Sequence, residues 1–213
     1  MTAASSACSS SRLRRGRKPA RAEELRDAAL ALFVEKGFEA TRTEEIAARA
    51  GISKGTLYLY FPSKEKLLEA AIESPALEVL ANVCREAKRD GNSTDVLRRV
   101  LSDIWVHLQD DTVGGILKLA IAEARRFPEI MNLWLHGVAR PLRASIAEVV
   151  LRGMDRGEFR PMAPGVVAQS LLLPMFMSCL QPHVSAAGAL AERCLDEGFI
   201  PQHVELVLQG LRR

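Results

Sequence analysis

The chain has 213 residues, 48% of them hydrophobic and 26% charged, enough apolar matter for a substantial core and too much for a disordered chain. Its formal charge of +3 is unevenly laid out: the first 21 residues hold six of the 29 Lys and Arg and none of the 26 acids, so the remainder carries a net −3. A basic arm on a mildly acidic body suits a polyanionic partner, either nucleic acid or an anionic lipid surface.

In chain order, residues 1–20 read as an unstructured basic arm whose charge comes from Arg12, Arg14, Arg15, Arg17 and Lys18. Such an arm can enter an A·T-rich minor groove, or add only nonspecific attraction. Leu25, Ala28, Ala29, Leu32 and Phe33 recur at three- and four-residue spacing, predicting a helix over 21–36 with Gly37 as its left-handed cap. Thr41 with Glu44 three residues on has capping-box spacing and starts a second helix, whose apolar face is Ile46, Ala47 and Ala50 before Gly51 stops it. Ser53 caps a third, short helix ending near Phe61, and after Pro62 a fourth, capped by Ser63, begins at Lys64 and runs to Ile72 or beyond.

Two helices joined by a tight Gly turn bring the second into the major groove of DNA. In the third helix Leu57 and Phe61 face inward, leaving Lys54, Gly55, Thr56, Tyr58 and Tyr60 on the outer side. Lys54 and the tyrosine hydroxyls can reach phosphates, Gly55 admits a close backbone, and Thr56 offers a hydroxyl and a methyl to base edges. Ordinary packing would explain an Ala-rich helix pair equally well, but Tyr58 and Tyr60 are the chain's only tyrosines and lie among Lys54, Lys64 and Lys66.

From about residue 76 the texture changes to longer amphipathic stretches broken by glycine and proline. Helices are predicted near 76–90, 94–110, 112–126, 129–152, 164–183 and 189–211, with no strand signal anywhere. The expected fold is all-α, with about nine helices. A helix-turn-helix module over 21–72 precedes a helical-bundle module over 73–213.

The series Thr41, Ile46, Ala47, Ala50, Gly51-Ile52-Ser53-Lys54-Gly55-Thr56-Leu57-Tyr58, Tyr60-Phe61, Ser63-Lys64-Glu65 and Leu67 resembles the DNA-binding domain of tetracycline-repressor (TetR) family regulators. The resemblance implies a three-helix DNA-binding domain over 21–72 and a helical ligand-binding and dimerisation domain over 73–213. It implies a homodimeric regulator on a near-palindromic double-stranded DNA operator, released by a small-molecule effector. It also implies that Thr43, Lys54, Gly55, Thr56, Tyr58, Tyr60 and Lys64 face DNA, Tyr60 and Lys64 at phosphates. Arg42 stands where the family commonly has a small hydroxyl residue; it can contact a phosphate or simply be solvated. By the same resemblance the last two helices, about 164–183 and 189–211, form the dimer interface.

Candidate residues for an effector pocket are Trp105, His107, Phe127, Met131, Trp134, Phe176, Cys179 and His183, with Met175 beside them, the large or polarisable groups on otherwise aliphatic helices. Each is also an ordinary core residue in its own right. The segment from Ile121 to Glu129 resembles a C-terminal-domain type of the same family; Glu123 with Arg126 or Phe127-Pro128 reads as fixing a helix junction in preference to holding a ligand.

Enzymatic chemistry is not expected: there is no His-Glu-x-x-His, no Gly-x-Ser-x-Gly and no phosphate loop, and His107, His136, His183 and His203 stand apart. No cofactor or metal is called for. Cys8, Cys84, Cys179 and Cys194 form no Cys-x-x-Cys pair, so a reduced cytoplasmic setting is expected, with Cys179 and Cys194 the residues a redox-responsive regulator would use. The longest apolar run, Val166 to Leu180, is interrupted and shorter than the ~20 residues of a spanning helix, so no membrane partner is expected. A helical protein whose arm binds a membrane surface or a generic polyanion, or a regulator answering to a protein partner, is the competing reading.

Overall fold

The computed structural model of the protein describes residues 6–184 and 198–213. Among them the chain is helical, without a β-strand: α1 (Ser6–Lys36), α2 (Thr43–Arg49), α3 (Lys54–Tyr60), α4 (Lys64–Ala87), α5 (Ser93–Gln109), α6 (Asp111–Glu123), α7 (Pro128–Asn132), a π-helical turn (Leu133–Ala139), α8 (Arg140–Asp155), α9 (Pro164–Val184) and α10 (Phe199–Leu211). It divides into two compact units at Glu73/Ser74, one residue past the expected boundary.

In the first unit the buried stripe of α1, made by Leu25, Ala29 and Phe33, joins Phe38, Ile46 of α2, Leu57 of α3 and Leu67 and Leu68 of α4 as a core with almost no solvent contact. Phe33 and Phe38 hold their ring centroids 5.4 Å apart. Gly37 closes α1 at φ +81, with its N–H on the Phe33 carbonyl at 2.9 Å. The backbone of α1 begins at Ser6, so the stretch expected as an unstructured arm continues this helix upstream. Gly16 and Pro19 disfavour a helix here, but Arg, Lys, Leu and Ala favour it, and extending a helix already held by its core avoids the cost of nucleation.

The predicted cap of α2 is displaced by one residue. Thr41 is buried, and its Oγ1 lies 2.8 Å from the Gly37 carbonyl and 3.1 Å from that of Leu32, satisfying the end of α1 instead. Arg42 takes the N-cap position, where its backbone N–H is accepted by Glu45 Oε2 at 3.3 Å. The two helices expected at 64–72 and 76–90 are one, α4. Pro75 lies within it, and the buried positions Leu68, Ile72, Ala76, Val79, Val83 and Ala87 continue in register on either side.

In the second unit α5 buries Val96, Leu97, Val100, Leu101, Ile104 and Leu108, and Asn92 caps it through Oδ1 to the Thr94 N–H at 2.9 Å. The helix expected at 129–152 is interrupted by the π-turn, in which the Arg140 N–H reaches back to the Leu135 carbonyl. Helices α8 and α9 pack along each other and against α5. After α8 the chain turns at Gly157, buries Phe159 against Gly153, and meets the end of α10, where the Arg160 N–H reaches the Leu211 carbonyl at 2.9 Å. Arg98 ties α5 to α10 through a two-pronged contact with Glu205, at 2.7 and 3.2 Å.

Candidate nucleic-acid interface

The link between α2 and α3 is set by one left-handed residue. Gly51, at φ +65, lets the Ile52 N–H return to the Ala47 carbonyl at 2.9 Å, which closes α2 and turns the chain into α3. Ser53 then caps α3, its Oγ accepting from the Thr56 N–H at 3.1 Å. Leu57 anchors α3 in the core, and its opposite side carries Lys54, Gly55, Tyr58 and Leu59 to the surface. Leu59, 85% exposed in the last turn of α3, is a surface residue without a predicted role; its offset of two residues from both Leu57 and Phe61 was the available signal.

The side chains of this face are held from α2. Lys54 Nζ lies 2.5 Å from Glu44 Oε1 and 6.0 Å from the Tyr58 ring centroid, and the Tyr58 hydroxyl is 3.3 Å from Thr43 Oγ1. The hydrogen bond from Lys54 depresses the Glu44 carboxyl below its ordinary range, and the same bond raises Lys54. Glu45 is likewise depressed, chiefly by the backbone N–H of Arg42 and then by Lys36. Thr43 is buried, so its hydroxyl positions Tyr58 rather than standing free on the surface. The Thr56 hydroxyl lies 2.8 Å from Ser53 Oγ and shares in the cap.

Tyr60 is half-buried at the end of α3. Lys64 packs its ammonium 4.3 Å from the Phe38 ring centroid and within 3.4 Å of the Glu39 carbonyl, beside the positive N-terminus of the long helix α4. Arg42 is exposed, and among the described residues its guanidinium makes no ion pair.

Gly55 is informative because nothing within the chain requires it. Its backbone is ordinary, and the nearest atom a Cβ would meet is Ser53 Oγ at 3.9 Å. Glycine at such a helical position costs roughly 1 kcal/mol relative to alanine, which is accounted for if another molecule's backbone approaches there.

Residues 20–73 hold eight Lys and Arg against ten acids, and Lys36, Arg49, Lys54 and Lys66 are each paired with a glutamate. The folded unit is thus close to neutral, and the surplus charge lies in the segment carrying Arg14, Arg15, Arg17 and Lys18, whose side chains fall outside the described residues.

The candidate effector residues are dispersed over the second unit. Trp134 is buried and meets Phe176 edge-on at 5.8 Å. Trp105 and His107 lie half-buried on α5, where His107 Nδ1 sits 2.8 Å from the Asp103 carbonyl. Phe127 precedes α7 with Arg126 stacked 5.3 Å from its ring, its N–H on the Glu123 carbonyl at 2.8 Å, and Met131 lies within α7. The side chains of Cys179 and His183, and all of Cys194, lie outside the described residues. A groove between the π-turn, α8 and α9 takes Phe176 alone from those candidates whose side chains are described. Among the described residues no group of His, Cys, Asp and Glu is arranged to hold a metal, and no helix is long and apolar enough to cross a membrane.

Residues 25–71 match the family of bacterial regulatory proteins, tetR family, and residues 88–197 match the tetracyclin repressor-like C-terminal domain. The chain is 25% identical over 170 residues to the HTH-type transcriptional regulator YfiR of Bacillus subtilis, covering 74% of this chain and 77% of that protein. It is 29% identical over 166 residues to the HTH-type transcriptional repressor KstR of Rhodococcus jostii, covering 62% and 78% respectively. The solved structure of a TetR-family regulator from Mesorhizobium loti shares the fold with a TM-score of 0.69, at 24% identity and over 91% of this chain and 96% of that one. With a helix-turn-helix unit and a helical second unit matched in order along one chain, this protein belongs to the TetR family of transcriptional regulators and is not an enzyme.

Proposed function

We propose that the protein is a cytoplasmic homodimeric repressor that grips a near-palindromic operator with α3 of each copy and lets go when a small molecule binds the second unit. The observation that carries DNA reading is the outer face of α3. There an unneeded glycine, Gly55, lies between Lys54 and Tyr58, both held in place by α2. Base reading falls to the exposed Gly55, Tyr58 and Leu59, and phosphate contacts to Arg42, Lys54, Tyr60 and Lys64, with the basic N-terminal segment adding attraction.

The dimer contact is supported by α9, which exposes Val166, Leu173 and Met177 along one side at helical spacing, with Leu135 and Leu151 exposed on the neighbouring π-turn and α8. The interface is assigned to the last two helices: the described part of α10 turns Ile200, Val204, Leu208 and Leu211 inward and leaves Leu206 exposed on its other side. A two-fold axis through such a contact spaces two reading helices by about one DNA turn, roughly 34 Å.

The test is a footprint on DNA flanking the protein's own gene, with light scattering on the same preparation. A protected palindromic site and a dimer are expected. Folded, dimeric protein that protects no site there overturns the repressor reading.

A further inference from the structure

We infer that the second unit binds a small amphipathic carboxylate in the groove between the π-turn with the start of α8 and the middle of α9. The groove encloses about 360 Å3, within the ~300–1,000 Å3 of small-molecule sites. Leu135, Leu172, Leu173 and Phe176 make it apolar, and Trp134 lies buried behind Phe176. One wall is cationic, formed by Arg140 and Arg143.

Among the described residues these two guanidinium groups, like those of Arg125, Arg160, Arg212 and Arg213, are not held by another side chain, and they alone of these line the groove. Elsewhere in the second unit Arg98 is engaged by Glu205 and Asp95, and Arg89 and Arg99 by Glu86, while Arg152 and Arg156 donate to the Ala87 and Gly91 carbonyls. Among the described residues the guanidinium groups of Arg140 and Arg143 make no ion pair or hydrogen bond. The groove lining contains no carboxylate, and α9 contains no Asp or Glu along its whole length.

Two guanidinium groups without a carboxylate partner among the described residues, beside an apolar trough, define the ligand by complement: an aliphatic or aryl body on Leu172, Leu173 and Phe176, and a carboxylate taken by the planar donor forks. The π-turn is a second sign pointing to the same place. It departs from α-helical hydrogen bonding at the very residues, Leu135 and Ala139, that border the groove, and such turns concentrate at functional sites. Leu173 belongs both to this groove and to the exposed side of α9, so an occupant lies at the edge of the proposed dimer contact. Only this consequence for DNA release rests on the repressor reading; the site itself does not.

Decanoate is the probe. In the Trp105→Phe protein Trp134 is the one remaining tryptophan, and its emission reports on Phe176 and the groove. Decanoate, kept below its micelle concentration, is expected to change this emission saturably, with decanol binding at least about tenfold more weakly. The Arg140→Gln/Arg143→Gln variant should lose at least about tenfold in decanoate affinity while its decanol affinity, circular dichroism and DNA footprint stay unaltered.

Absence of any saturable change, equal affinity for decanol and decanoate, or undiminished decanoate binding by the double variant would each overturn the site. A groove filled by a second copy alone would show as the first of these outcomes. Saturable, arginine-dependent binding by a protein that protects no DNA leaves the site standing and counts against the repressor reading alone.

Discussion

Lys54 of α3 lies 2.5 Å from Glu44 of α2, so the most exposed cation of the proposed reading helix is occupied before DNA arrives. A phosphate must compete with this carboxylate, and Glu44 also places a negative charge near the approaching backbone. Glu44→Gln is therefore expected to raise affinity for specific and random DNA alike. Releasing one cation per subunit should steepen the fall of log affinity with log salt by about 0.9 per copy. Affinity measured across a salt series tests this; an unchanged slope would mean that Glu44 does not withhold Lys54 from the phosphates. Because the Glu44 carboxyl is depressed, the pair persists at neutral pH and is lost only as pH falls through that lowered value.

Gly55 separates folding from binding in the opposite direction. Replacement by alanine meets no atom closer than 3.9 Å and removes the flexibility cost of glycine in a helix, so Gly55→Ala should stabilise the fold by about 0.4–1 kcal/mol. The same methyl occupies the space reserved for the DNA backbone and should weaken operator binding. A denaturant titration and a binding titration on one preparation check both; stabilisation with unimpaired binding would move DNA away from this turn of α3.

Thr41 has a structural role despite its place at the head of the family pattern. It is 1% exposed and its hydroxyl serves the carbonyls of Gly37 and Leu32. Thr41→Val keeps the shape and strands those carbonyls, at a cost of about 1–3 kcal/mol. Thermal unfolding should shift down while operator affinity, measured well below the transition, is retained.

The turn and its anchors were legible because each depends on local chemistry. Gly51 must adopt a positive φ, Ser53 is an efficient cap, and Leu57 repeats the apolar period. What escaped depends on partners distant in sequence. The capping-box spacing at Thr41 and Glu44 is genuine, but the hydroxyl that would cap α2 is claimed by α1, nine residues upstream. The Lys54 pair with Glu44 joins two helices, and no spacing rule within one helix shows it. In the second unit, aromatic content pointed to Trp134 and Phe176, which do meet, but not to the groove beside them. The reason is the π-turn. One extra residue per turn rotates Leu135 and Ala139 away from the face that α-helical counting assigns them, and hydrophobic periodicity cannot signal such an insertion.

Arg98 and Glu205 make the tie between α5 and α10 pH-sensitive. The hydrogen bond from Arg98 lowers the Glu205 carboxyl in the folded protein, so its stabilisation is full above the unfolded value of about 4.3 and is lost as pH falls through the depressed folded value. Both side chains are more than a third exposed, which limits the contribution to roughly 0–1 kcal/mol. Glu205→Gln should flatten this part of the stability curve below about pH 5 without changing its shape near neutrality. Stability measured from pH 3 to 7 in both proteins gives the comparison.

Gly153 and Phe159 offer the sharpest packing test. A Cβ on Gly153 would lie 2.3 Å from Cδ2 and 2.5 Å from Cε2 of a ring that is itself fully buried, so the ring cannot swing clear into solvent. Alanine gains roughly 1 kcal/mol of helix preference within α8. The overlap involves two ring carbons inside contact distance, and overpacking of this kind costs about 1–3 kcal/mol. The balance is destabilising. Phe159 also begins the segment that meets the end of α10, through the Arg160 N–H and the Leu211 carbonyl, so displacement of the ring should loosen that junction. Gly153→Ala is accordingly expected to unfold at lower denaturant than the parent. Phe159→Leu, which trims the ring, should recover part of the loss in the double variant, giving a coupling energy of about 0.5–3 kcal/mol. Additive losses would show that the methyl is accommodated by a shift of α8 rather than by collision with the ring.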